Sequence, residues 1–129
     1  MKTFALAALA LPIALASSPA IAGPIRPYSA AAFQAAQRAG APILVDVHAD
    51  WCPTCRAQAP TVAELSRDPA FAKLTIFRLD YDKQAAERRA LRAQRQSTLI
   101  VWHGAAERGR ATGVVDRNAI RALAAKALR

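Results

Sequence analysis

Cysteine is rare in this 129-residue chain, which holds only Cys52 and Cys55. One pair argues against a disulfide scaffold, a class that carries several. The pair also makes a poor staple, because a bridge between near neighbours closes a tiny loop and loop-closure stabilisation grows with loop length. Acidic residues are outnumbered, 9 Asp and Glu against 18 Lys and Arg, for a formal charge of +9. That balance raises nucleic-acid binding, yet the basic residues are scattered singly, as in Arg117, Arg121, Lys126 and Arg129. The densest group, from Glu87-Arg88-Arg89 to Arg95, has few aromatic neighbours. The charge therefore reads as a solvated surface, and no nucleic-acid partner is expected. Repeats and low-complexity tracts are missing. After the first 22 residues there is no apolar run of the roughly 20 residues that a bilayer crossing needs. Proline is absent from Ala70 to Arg129.

What is present begins with a leader. Lys2 precedes an apolar stretch from Phe4 to Ala16, interrupted by Pro12; Ser17, Ser18 and Pro19 follow, then Ala20-Ile21-Ala22. That order of basic, apolar and small residues predicts a secretory signal peptide over 1–22, cleaved after Ala22, with a retained anchor as the alternative. The expected product is one domain, 23–129, periplasmic or secreted.

Within that domain Pro24 to Pro27 reads as an irregular lead-in. Ser29 caps a predicted helix that Gly40 ends near Ala39. Ile43-Leu44-Val45-Asp46-Val47 suits a strand covered on both faces. A helix follows from Cys52, with Pro53 in its first turn, where a missing N–H is harmless, and Pro60 kinking it further on. Leu74 to Leu79 is the next strand, Asp82 to Ala93 a polar-faced helix, Leu99 to Trp102 a third strand and Ala111 to Val115 a short fourth. Asp116 caps a last helix whose Ile120, Leu123, Ala124, Ala127 and Leu128 form one apolar stripe. Strands joined through helices lie parallel, and the last two, joined by a short loop, pair antiparallel. The fold class is α/β, a small mixed four-stranded sheet flanked by helices.

Cys52 and Cys55 fall at i and i+3 on the opening turn of a helix, so their side chains share a face. Partial positive charge and unpaired N–H groups gather at that end and favour a thiolate at Cys52. Pro53 removes one backbone donor and stiffens the turn. Thr54 adds a hydroxyl close to the sulfurs, and Arg56 adds positive potential. These pieces suit thiol–disulfide exchange. Two sulfurs alone do not fill a tetrahedral zinc shell, so a metal site needs His48 or a second chain as well.

The segment Leu44-Val45-Asp46-Val47-His48-Ala49-Asp50-Trp51-Cys52-Pro53-Thr54-Cys55-Arg56 resembles the active-site segment of the thioredoxin family. The similarity continues through Pro60, Leu79-Asp80-Tyr81-Asp82, Thr98-Leu99-Ile100-Val101 and Gly113, in order and at matching intervals, across essentially the whole chain after the leader. The resemblance implies a thioredoxin-like fold with no bound organic cofactor. It implies that Cys52 is the exposed nucleophile, that Cys55 resolves the mixed disulfide, and that the two form the redox disulfide. Asp46, in an otherwise apolar strand, is implied as the base for Cys55; burial raises a carboxyl pKa and suits it to that task. The resemblance also implies that Trp51 shields the sulfurs and offers apolar contact to clients, and that clients dock strand-like on Gln96-Ser97-Thr98.

Two positions depart from the family. Ser97 stands where thioredoxins carry a cis-proline; a non-proline cis bond costs about 2.5–4 kcal/mol, so a trans loop is expected, with the Ser97 N–H and hydroxyl offered near the sulfurs. His48 stands where the family usually has tryptophan and is expected to face Asp82, tuning the first thiol as a cation or, when neutral, ligating metal. The leading expectation is an exported thiol–disulfide oxidoreductase, monomeric, acting on protein clients with thiols or disulfides. Outside the cytoplasm it needs a donor or acceptor of electrons, for which a membrane thiol carrier is the candidate. The alternative from another class is a metal- or cluster-binding carrier built on Cys52 and Cys55. A third reading is a binding module whose turnover Ser97 has weakened.

Overall fold

The structure, a computed structural model, describes residues 23–129. The expected leader and its cleavage point at Ala22 lie outside the described residues. In chain order the elements are β1 (Arg26–Pro27), α1 (Ala30–Arg38), β2 (Pro42–His48), α2 (Pro53–Leu65), β3 (Thr75–Asp80), α3 (Ala85–Ala90), β4 (Thr98–His103), β5 (Ala106–Thr112) and α4 (Arg117–Ala125). Short 3₁₀ turns sit at Pro69–Phe71 and Lys126–Leu128.

One mixed sheet runs in the order β1-β3-β2-β4-β5. β2 lies parallel to β3 and antiparallel to β4, while β5 returns antiparallel on β4. β2 holds the centre because its apolar run can be covered on both faces, and Ile43 through Val47 are all buried. Alternation then sorts the side chains. Leu44, Ile76, Leu99 and Val101 meet Val62 and Leu65 of α2 and Ile120, Leu123 and Ala124 of α4. Ile43, Val45, Val47, Phe77, Ile100 and Trp102 point the other way, onto Tyr28 and Phe33. Phe33 meets Trp102 edge-on at 4.9 Å between ring centroids. Truncating any of the fully buried Leu or Ile side chains to Ala costs about 2–5 kcal/mol. Most of the α4 stripe is buried as expected, but Leu128 lies at the surface.

Three expectations change. The sheet has five strands rather than four, because Arg26 and Pro27 pair with Phe77 and Arg78 on the free edge of β3. Two residues, one a proline, carry too little pattern to announce a strand. The last strand starts at Ala106 rather than Ala111, since the chain reverses directly at Gly104. The third helix is shorter at both ends. Asp80 accepts the N–H groups of Asp82 and Lys83 in a tight turn before it, and Arg92 takes a left-handed conformation (φ 53°) after it. Ser29 and Asp116 cap α1 and α4 through their side chains as anticipated. Pro60 sits inside α2. No helix among the described residues is long and apolar enough to cross a membrane.

Candidate active site

β2 ends at His48 and the chain turns through Ala49, Asp50 and Trp51 into α2. Cys52 is the N-cap of that helix, with extended backbone (φ −83°, ψ 116°), and its Sγ accepts the Cys55 N–H at 3.1 Å. This is the bond that a serine or aspartate cap usually supplies. Backbone N–H dipoles at the head of α2 point at this sulfur. Pro53 follows at the first helical position and Thr54 is half-buried, its hydroxyl making no hydrogen bond to sulfur among the described residues. Arg56 reaches back to the Asp50 carbonyl at 3.0 Å.

Cys52 is 2% exposed. The open nucleophile expected from sequence is therefore a covered one. Ala49 and the partly buried Tyr81 pack around the two cysteines, while Trp51, 56% exposed, stands at the rim. Its indole N–H donates to Asp82 Oδ2 at 2.8 Å and its ring meets Tyr81 edge-on at 6.4 Å. Both cysteines are free thiols. The Cys55 thiol is pushed up to about 11, first by burial and then by its hydrogen bond to Cys52, while the Ala49 and Ser97 backbones pull the other way.

Asp46 is buried in the middle of β2, between Arg78 on β3 and Leu99 on β4. Burial raises its carboxyl above the ordinary range; Arg78, whose Nε lies 3.1 Å from Oδ2, opposes that rise, and His48 opposes it less. Asp46 Oδ1 is buried without a hydrogen-bond partner among the described residues. His48 does not face Asp82, whose carboxylate Trp51 occupies. Its Nε2 lies 3.2 Å from Asp50 Oδ1 and its Nδ1 4.0 Å from Asp46 Oδ2. The ring sits on the wall of a cleft of about 510 Å³, shared with Asp50, Trp51, Arg78 and Asp82.

The Gln96–Thr98 loop lies over the end of β2. No cis peptide occurs among the described residues, and Ser97 adopts φ +57°. For a non-glycine residue that conformation costs on the order of 1–3 kcal/mol. Hydrogen bonds hold it there. Its N–H donates to Val47 O at 2.8 Å, its hydroxyl to Gln96 O at 2.6 Å, and its carbonyl accepts the Gly113 N–H at 2.9 Å. The hydroxyl expected near the sulfurs is thus spent on the loop itself. Gly113 makes its contact from φ +75°, a region open to glycine without strain. Thr98 is buried, and its hydroxyl bonds Arg95 O and Thr112.

Two residues at the site escaped sequence reasoning. Gln58, 1% exposed, donates through Nε2 to Ser97 O (3.2 Å) and to Val114 O (2.7 Å). Its signal was present: Cys55, Gln58, Thr61, Val62 and Leu65 make the buried stripe of α2, and a glutamine on such a stripe calls for partners. Arg78 carried no signal beyond its place in a strand, and only its register opposite Asp46 makes it part of the site. A ligand set is not gathered: among the described residues, no group of three or more His, Cys, Asp and Glu side chains stands ready to hold a metal ion. His103 is bonded to Ala127 O at the far end of β4.

Comparison with known proteins agrees with this architecture. The thioredoxin family model matches residues 25–126. The chain is 31% identical over 58 residues to thioredoxin H5 of Arabidopsis thaliana and 31% identical over 61 residues to thioredoxin Asp f 28 of Aspergillus fumigatus. Those matches cover 45% and 47% of this chain, and the chain spans about half the length of these curated relatives, 48% and 55%. The crystal structure of Trxlp from Edwardsiella tarda is 40% identical, with a TM-score of 0.74 over 78% of this chain and 98% of that one. A thioredoxin from Halobacterium salinarum, 20% identical over 88% of this chain and 96% of that one, shares the fold with a TM-score of 0.72. Since the family model takes in nearly all of the described residues, this chain belongs to the thioredoxin family.

Proposed function

We propose that this protein is an exported thiol–disulfide oxidoreductase that exchanges disulfides with protein clients through Cys52 and Cys55. The observation that carries the reading is the capping bond from the Cys55 N–H to Cys52 Sγ. It puts one sulfur on the positive end of α2 and holds the other directly behind it.

In the reducing direction, Cys52 Sγ attacks one sulfur of a client disulfide and the other client sulfur leaves as a thiolate. Cys55 then loses its proton to Asp46 and attacks Cys52 Sγ. The Cys52–Cys55 disulfide forms, the bond to the client breaks, and the client's second thiolate departs. The reverse sequence oxidises a client dithiol. Potentials of such pairs range over roughly −120 to −270 mV, and a membrane thiol carrier is the partner we assign for resetting the pair. Clients dock on Gln96, Ser97 and Thr98, with Trp51 as the apolar contact beside the sulfurs. The basic–apolar–small order of residues 1–22 supports export. The protein works as a monomer and needs no bound cofactor.

Dithiothreitol-driven insulin reduction tests the reading on metal-checked protein. Wild type should turn over, Cys52→Ser should not, and Cys55→Ser should accumulate clients as mixed disulfides. Stoichiometric metal with no turnover would instead favour a carrier. Expression of the full chain should yield a periplasmic product beginning at Gly23, by mass, that elutes as a monomer.

A further inference from the structure

His48 closes β2 with a carboxylate on either side. Its ring is 11% exposed, Nε2 lies 3.2 Å from the fully solvated Asp50 carboxylate, and Nδ1 lies 4.0 Å from buried Asp46. His48 Nδ1 and Asp46 Oδ1 are both buried polar atoms with no hydrogen-bond partner among the described residues. Unpaired buried polar atoms are costly and call for an explanation. His48 Nδ1 faces the Asp46 carboxylate, 4.0 Å from Oδ2, and with the ring lining an open cleft the two side chains trace a line from the interior to solvent. One bridging water spans a 4.0 Å gap of this kind.

The surrounding charges leave one group able to work along that line. From β2 and its end come Asp46 and Asp50; from β3 come Arg78 and Asp80, the latter paired opposite His48; from the following turn come Asp82 and Lys83; from β1 comes Arg26. Arg78 touches Asp46, but a guanidinium is a hydrogen-bond donor rather than a proton carrier. Asp82 is engaged by Trp51. Imidazole can accept a proton on one nitrogen and release one from the other near neutral pH.

We propose that His48 is the proton relay between Asp46 and solvent. This rests on Asp46 being the base for Cys55. As Cys55 Sγ attacks Cys52 Sγ and the client thiolate leaves, the Cys55 proton goes to Asp46. Asp46 passes it to His48 Nδ1, and the Nε2 proton leaves to the Asp50 carboxylate or cleft water. The electron pair of the broken Cys52–client bond stays on the client sulfur, so charge and protons balance. Client oxidation runs the same path backwards.

The test follows resolution of a preformed Cys52 mixed disulfide in single turnover, by tryptophan fluorescence. His48→Ala should resolve about tenfold more slowly near pH 7, below the 10²–10⁴ of a directly acting acid–base group. Added imidazole should restore that rate in a saturable way, and should not rescue Asp46→Asn. The double variant should be no slower than Asp46→Asn, because the two residues act in series. His48→Gln keeps the bulk without the relay and should match His48→Ala, which guards against a folding defect. Wild-type rates in both His48 variants, or a loss that imidazole leaves untouched, overturn the relay while sparing Asp46. A wild-type rate in Asp46→Asn overturns the base assignment itself.

Discussion

The second sulfur sets the hardest chemical problem at this site, and its burial gives the problem a size. With the Cys55 thiol pushed up to about 11, roughly one molecule in 10⁴ carries the thiolate at pH 7. A free cysteine near 8.5 would carry a few per cent. Resolution therefore cannot rely on spontaneous ionisation, and a base must take the proton as the S–S bond forms. Asp46, buried and with a raised affinity for protons, is the base we propose. Replacing it with asparagine leaves the shape and removes the base. Resolution at pH 7 should then fall by about 10²-fold or more, the usual worth of a positioned acid–base group. The remaining rate should rise about tenfold per pH unit for as long as the buried Cys55 thiol stays mostly protonated, because hydroxide now makes the nucleophile. Wild type should level off where Asp46 itself is ionised. Stopped-flow release of thionitrobenzoate from its mixed disulfide with Cys52 reads both quantities. An asparagine variant with the wild-type rate and pH slope would refute the reasoning.

The same burial has a stability signature. Asp46 binds its proton more tightly folded than unfolded, so stability falls as pH rises from the ordinary aspartate range through the raised folded value. Asp46→Asn should thus gain stability relative to wild type as pH rises from 3 to 7, because wild type loses stability over that range and the amide does not titrate; urea melts at the two pH values check this. Ser97→Pro should lose about 2–4 kcal/mol in the same melts, since proline cannot adopt φ +57° or donate to Val47 O. Gln58→Leu should cost about 1–3 kcal/mol by taking the donor from the Val114 carbonyl and one of two donors from the Ser97 carbonyl. It should also raise KM for a protein client more than it lowers kcat, because the docking loop loosens while the sulfurs stay in place.

How much of this could be read beforehand depended on how far apart the interacting residues lie. The run from Ile43 to Val47 announced the central strand because a strand covered on both faces is apolar throughout. Ser29 and Asp116 marked helix starts because a cap bonds an N–H two or three residues on. The spacing of Cys52 and Cys55 placed both sulfurs at a helix head for the same local reason. Other features had no local trace. β1 exists because β3 had a free edge, and the cover over Cys52 comes partly from Tyr81, far along the chain. His48 lost Asp82 to Trp51, a contest between partners on separate elements. Gln58 reaches carbonyls 39 and 56 residues away.

The sequence by itself determined the order of elements, the cysteine pair at the head of a helix and a carboxylate inside an apolar strand. Hydrophobic period, capping and proline chemistry act within a few residues and leave their mark in the string. Only the tertiary structure decided which side chains meet Asp46, what holds Ser97 left-handed and how deeply the first sulfur lies. Those contacts follow from strand register and helix docking, where a shift of one residue moves a side chain to the opposite face of the sheet.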